Sequence, residues 1–206
     1  MVLSAVVIVL IVQGLAVDAF HRNSFDVVRG CKQHDSIVAY DAALAYFPTS
    51  SLLHVGHTHS SKYFNVAILG PNDGIIRYGE SLFPYDKDVI EIVLGGWGNT
   101  KSAGRLHHRT GANNYDNNQL VEAKTPNLLS NFRPTMFVVE MFNNGTVQVR
   151  IEGQDHPFLS FNDSKRIPFN YMEFTKWDKD VIFFYDCPLD HGNAMYNHLS
   201  LNCTVV

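Results

Sequence analysis

The residues best suited by type to meet a ligand gather around one glycine-rich string. Glu91-Ile-Val-Leu-Gly-Gly-Trp-Gly98 runs directly into Asn99-Thr-Lys-Ser102. A strand that ends in spaced glycines lets a backbone approach a dinucleotide or S-adenosylmethionine, provided a helix follows and aims its N-terminus at the ligand. The continuation here is Asn99-Thr-Lys-Ser-Ala-Gly-Arg-Leu-His-His108, which has no apolar helical face. No acidic residue closes a second parallel strand about 20 positions further on, as that motif requires. The glycines therefore read as a bulge or tight bend at a sheet edge with Trp97 packed nearby. In that setting Trp97, Asn99, Lys101 and Arg105 join an aromatic platform to polar partners, the chemistry that stacks on and hydrogen-bonds a sugar or another small polar ligand.

Other constellations are incomplete. His54, His57 and His59 are spaced so that the last two share a face of an extended strand, and two imidazoles are a start on a zinc site. Such a site needs a third or fourth ligand, and nothing adjacent supplies one. His107 and His108 are neighbours and point to opposite faces of a strand. There is no Gly-x-Ser-x-Gly elbow, and Asp86 and Asp88 flank Lys87 in a turn, where solvation is their role. The expectation is a protein with no catalytic residues, metal or cofactor.

The elements that must position these side chains are strands. Period-two apolar patterns bounded by Gly, Pro, Asn and Asp occupy residues 36–47, 63–69, 75–78, 89–94, 136–142, 146–151, 171–174 and 181–185. Asn143-Asn144-Gly145 predicts a hairpin turn of type I′. Asp41 to Tyr46 is rich enough in alanine to be helical as well as extended, and Arg109 to Asn118 reads as a long polar loop. Many short strands without alternating amphipathic helices give an all-β fold, an antiparallel β-sandwich of jelly-roll type in a single domain.

Composition narrows the class. With 16 basic and 20 acidic side chains in 206 residues and no basic run longer than Lys165-Arg166, a phosphate backbone is excluded as the main partner. The one long apolar run, Val2 to Val17, is shorter than the roughly 20 residues that a membrane span needs. It reads as a secretory signal peptide, residues 1–19, with cleavage near Ala19. Its removal takes away one charge, Asp18, and leaves a 187-residue secreted chain at net −3. In that compartment Asn144, Asn162 and Asn202 each begin a glycosylation sequon. Three cysteines allow one bridge and one remaining thiol. Cys187 with Cys203 closes a short C-terminal loop and is the pair adopted, whereas Cys31 with either would tie the two ends together.

The stretch Val89 to Ser102 resembles the arthropod-rich family named after farnesoic acid O-methyltransferase, whose hallmark is a strand running into Gly-Gly-Trp-x-Asn-x-x-Ser. The resemblance continues through Thr125-Pro-Asn-Leu-Leu129, the hairpin 137–151, Gly153 to Phe161 and the strand from Tyr171 to Trp177 with its final aromatic. It spans residues 63–187, preceded by N-terminal strands of the same domain in 20–62 and followed by a tail in 188–206. The family name implies S-adenosylmethionine-dependent methylation of farnesoic acid on the way to juvenile hormone or methyl farnesoate. The residues themselves favour a secreted, glycosylated, non-catalytic recognition protein of haemolymph, saliva or venom that binds a glycan or small ligand. A secreted effector working through a host or self extracellular protein is a further reading.

Overall fold

The computed structural model describes residues 23–189. Residues 1–19, expected to be a signal peptide, and Asn202 and Cys203 lie outside that range. Fourteen strands form two seven-stranded sheets packed face to face. In the first sheet the order is β1 (Lys32–His34), β14 (Ile182–Tyr185), β5 (Ser61–Leu69), β10 (Thr135–Phe142), β11 (Thr146–Ile151) and β12 (Leu159–Asn162), with β4 (Val55–His57) also paired to β5. In the second it is β2 (Val38–Ala39), β13 (Tyr171–Lys176), β6 (Gly74–Gly79), β7 (Lys87–Gly95), β8 (Lys101–Gly111) and β9 (Asn114–Lys124), with β3 (Phe47–Pro48) on β13. Only β2 and β13 run parallel. No described helix is long and apolar enough to cross a membrane.

The period-two pattern decides which face of each strand turns inward. Phe64, Val66 and Ile68 of β5 and Phe137 and Val139 of β10 meet Ile76 of β6, Ile90, Ile92 and Leu94 of β7 and Phe174 of β13 between the sheets. Gly104 of β8 must lack a side chain, because a Cβ there would stand 2.3 Å from the Phe161 ring.

Seven of the expected strands form, and three local readings change. Residues 36–47 do not make one strand. After β2 the chain turns, with the Ala42 N–H donating to the Ala39 carbonyl, and then crosses the outer face of the second sheet as an irregular strap, Tyr40 to Tyr46. Sheet side chains hold its start: Arg109 Nη2 donates to the Tyr40 carbonyl at 2.9 Å, and just before it Thr175 Oγ1 donates to the Val38 carbonyl of β2 at 2.9 Å. The expected loop at 109–118 is instead the closed end of the β8–β9 hairpin, turned at Ala112-Asn113. Its periodicity is hidden because the outward residues are polar. At Asn143-Asn144-Gly145 only Gly145 has a positive φ, 90°, and its N–H donates to the Phe142 carbonyl at 2.9 Å. This is a three-residue loop ending in a left-handed glycine, not a type I′ turn.

The cysteine pairing is also corrected. Cys187 is bonded to Cys31, not to Cys203. The cause is strand order: β1 pairs with β14 in the register Lys32 to Tyr185, which sets the residue before β1 beside the residues after β14. The bridge closes 156 residues, worth about 5 kcal/mol of denatured-state entropy in the loop-closure treatment. Cys31→Ser is expected to lower the unfolding free energy by about 2–5 kcal/mol in guanidinium titration, with the β signature in circular dichroism retained at low denaturant.

Candidate functional site

The outer face of the second sheet should meet water, yet its central side chains are buried beneath the strap. Cross-strand register places Glu173 of β13 beside Arg77 of β6, Arg77 beside Glu91 of β7, and Glu91 beside Arg105 of β8. The result is a row of alternating charge across four strands. Arg77 Nε donates to Glu91 Oε2 at 2.8 Å, Arg105 Nη1 donates to Glu91 Oε1 at 3.0 Å, and Arg77 Nη1 lies 3.8 Å from Glu173 Oε1. Arg77, Glu91 and Glu173 are at most 1% exposed. Burial is the largest influence on Glu91 and would raise it, but the attraction of Arg77 and Arg105 holds its carboxyl below the usual range. Glu173 has no such pair of hydrogen-bonded guanidiniums, and burial pushes it up to about 7. His107, two positions along β8 from Arg105 and on the same face, is driven down to about 4 by burial.

The strap stops short of covering the whole face, and the uncovered part is a cleft of about 550 Å³. Its walls include Tyr40, Trp97, Tyr115 and Trp177, with Asp73 and Arg105 among the polar groups. Trp97 and Trp177 are 43% and 54% exposed, unlike the large buried aromatics of the core. Tyr40 lies edge-on to both Trp177 and Tyr115, with ring centroids 4.9 and 5.3 Å away.

The glycine string explains how Trp97 reaches this position. Gly95, Trp97, Gly98 and Asn99 have φ of 61°, 51°, 66° and 65°, so the segment makes one left-handed turn, closed by the Thr100 N–H donating to the Gly96 carbonyl at 3.0 Å. Left-handed geometry costs an L-residue about 1–2 kcal/mol, which the two glycines escape and asparagine tolerates. Trp97 bears it, with its carbonyl accepting from Thr100 Oγ1 at 2.8 Å. Burial, followed by repulsion from Asp178, raises the Asp73 carboxyl above its ordinary value.

Of the four residues expected to form a site, three come together. Lys101 Nζ is 5.6 Å and Arg105 Cζ 5.3 Å from the Trp97 ring centre, in cation–π range. Asn99 turns away. Its Nδ2 donates to the Leu129 carbonyl at 2.8 Å and its Oδ1 accepts the Leu129 N–H at 3.0 Å, so its amide clamps residues 127–129 to the turn and is not free for a ligand. The three histidines do not converge on one point. The His54 ring is engaged with Asp186, whereas His57 lines a separate groove with Lys62 and Glu80 and His59 is exposed. Among the described residues no group of three His, Cys, Asp or Glu is placed to hold a metal. Tyr40, Asp73, Tyr115 and Asn117 were not expected at the site. They come from distant segments: the strap brings Tyr40, the β8–β9 pairing brings Tyr115 and Asn117, and the β6–β7 pairing brings Asp73, whose N–H donates to the Gly95 carbonyl at 3.0 Å. Trp177, the terminal aromatic of its strand, had a local signal.

A family model described as farnesoic acid O-methyl transferase matches residues 40–189, which contain the whole cleft. The chain belongs to this family. No curated protein matches it significantly. Among solved structures, this family member is similar to an ancestral congerin (14% identity, 66% of this chain and 96% of that one, TM-score 0.43) and to the PSpry domain of TRIM65 (9%, 69% and 71%, 0.37). It is also similar to the CBM40 module of a Ruminococcus gnavus IT-sialidase, whose structure holds α2,6-sialyllactose (8%, 79% and 96%, 0.34).

The two displaced protonation equilibria of this farnesoic acid O-methyl transferase family domain oppose one another. Between about 4.5 and 7 the folded state keeps a Glu173 proton that the unfolded chain has released, so stability falls as pH rises. Between about 4 and 6.5 the unfolded chain binds a His107 proton that the folded state rejects, so stability rises with pH. Glu173→Gln should unmask the rise and His107→Asn the fall. Each change should reach up to about 3 kcal/mol across its window, read by urea unfolding over that pH interval.

Proposed function

We propose that this protein is a secreted, glycosylated recognition module that holds a glycan or small polar ligand in the cleft between Trp97 and Trp177 without transforming it. The observation that carries this reading is Trp97 itself. A large aromatic kept partly exposed in a left-handed backbone conformation is costly, and such strain persists where a surface has a task. Its surroundings supply what a sugar ring needs, an apolar face for its C–H groups beside the donors of Arg105 and the acceptors of Asp73 and Asn117. The Cys31–Cys187 bridge fits an oxidising compartment, and the sequon asparagines Asn144 and Asn162 are both exposed.

The family description favours a second reading, transfer of a methyl group from S-adenosylmethionine to farnesoic acid. The residues present do not fit that cofactor in the usual way. Such enzymes rest it on a glycine loop that feeds a helix in a doubly wound parallel sheet, whereas Gly95 to Asn99 feeds the antiparallel strand β8.

Both tryptophans of the chain line the cleft, so intrinsic fluorescence reports on it directly. Glycan-array screening of the secreted protein, followed by fluorescence titration of the hits, should give saturable binding that Trp97→Ala weakens at least tenfold, the equivalent of about 1.4 kcal/mol. Array and titration both blank would remove the glycan reading. Isothermal titration with S-adenosylmethionine should give no heat, and a saturable signal there would establish the methyltransferase reading in its place.

A further inference from the structure

One hydroxyl group already sits in the cleft, and it belongs to the protein. Tyr40 Oη donates to Glu91 Oε1 at 3.2 Å and accepts from Asn117 Nδ2 at 2.7 Å. Its ring lies over the Arg77 guanidinium, 4.4 Å from ring centre to Cζ, and against Trp177 and Tyr115. A carboxylate acceptor facing an amide donor between aromatic walls is the setting in which a sugar hydroxyl is bound, because a hydroxyl gives one hydrogen bond and takes others. Below the ring the polar inventory is unfinished. Both Nη atoms of Arg77, both ring nitrogens of His107 and Oε2 of Glu173 are buried without a hydrogen-bond partner in the protein. Buried polar groups left in that state call for a partner from outside the chain.

We propose that Tyr40 is a built-in competitor: its hydroxyl occupies the subsite for one hydroxyl of a neutral pyranose, which binds by displacing the side chain together with its end of the strap. The inference rests on reading the cleft as a sugar site and specifies how that site is gated. With Tyr40 displaced, Glu91 Oε1 and Asn117 Nδ2 face the first hydroxyl, and the uncovered Nη atoms of Arg77 face its neighbour on the ring. Two vicinal hydroxyls thus meet an acceptor and a donor side by side. Among the charged residues that line the cleft, Asp73 and Asp178 outnumber Arg105, which favours an uncharged sugar over an anionic one. What the sugar must replace on opening includes the Arg109 bond to the Tyr40 carbonyl, the two bonds of the Tyr40 hydroxyl, and the packing of its ring on Ile75, Val93 and Ala103. Because the competent state must first release the tyrosine, apparent affinity equals the intrinsic affinity multiplied by the fraction of molecules that are open.

The test titrates wild type, Tyr40→Phe and Trp97→Ala with galactose, mannose, glucose and N-acetylglucosamine, read by tryptophan fluorescence. Phenylalanine keeps the ring packing but gives up both hydrogen bonds that the sugar must replace, so Tyr40→Phe should bind about fivefold tighter than wild type, while Trp97→Ala loses binding. Hydrogen exchange on wild type provides a measurement free of any variant: saturation with the bound sugar should accelerate exchange in residues 40–46 as the strap is released. A sugar that binds Tyr40→Phe no more tightly than wild type overturns the gate and leaves the glycan reading intact, and so does slowed or unchanged exchange in the strap. No response to any of the four sugars in either wild type or Tyr40→Phe overturns the gate together with the sugar reading on which it rests.

Discussion

The row Glu173–Arg77–Glu91–Arg105 is the constraint from which the rest of this surface follows. Taking each such charge out of water costs several kcal/mol, which is repaid only if partners are close and hydrogen-bonded. Strand register supplies the partners by setting opposite charges on adjacent strands of one sheet face. A slip of one residue in any of these strands would turn its charge into the apolar space between the sheets, so the row pins the register as firmly as the core does. It also demands a cover. The strap supplies one, and Tyr40, at the point where the strap begins, becomes both the lid of the charged row and the wall of the cleft.

The sandwich was legible because its inward faces obey a simple alternation of apolar and polar residues. Ile90, Ile92 and Leu94 of β7, or Val147 and Val149 of β11, declare a strand and its buried side without help from the rest of the chain. The alternation failed where a second layer buries the outward face. His107 and Arg109 on β8 read as polar residues of a solvent-facing side, and nothing local reveals that they are buried. The same blindness hid Tyr40 and Asn117, since their meeting depends on a contact across 77 residues of chain. Trp97, Lys101 and Arg105 could be grouped from sequence because they are close along the chain, in the turn and the start of β8 that follows it.

The glycine-rich turn illustrates how one motif can serve two kinds of chemistry. In a nucleotide-binding protein such glycines let a backbone approach phosphate groups. Here they permit a left-handed turn that projects an aromatic ring outward, and the amide of Asn99 locks that turn to the 127–129 segment. Asparagine and tryptophan, adjacent in type to any ligand-binding list, divide the work: one is consumed in holding the loop, the other is displayed by it.

Both sheets are completed by strands from the end of the described chain. Strand β14 inserts between β1 and β5, and β13 joins β2 and β3 to β6, so β1, β2 and β3 have no lateral partners until residues beyond 170 exist. During vectorial synthesis β5 and β6 therefore wait with open hydrogen-bonding edges for most of the time the domain is being made, and open edges invite association with other chains. The Cys31–Cys187 bond then acts as a completion mark, because a chain truncated before Cys187 lacks one of its two sulfurs. A thiol still reactive at Cys31 distinguishes such an unfinished molecule from one whose sheets have closed.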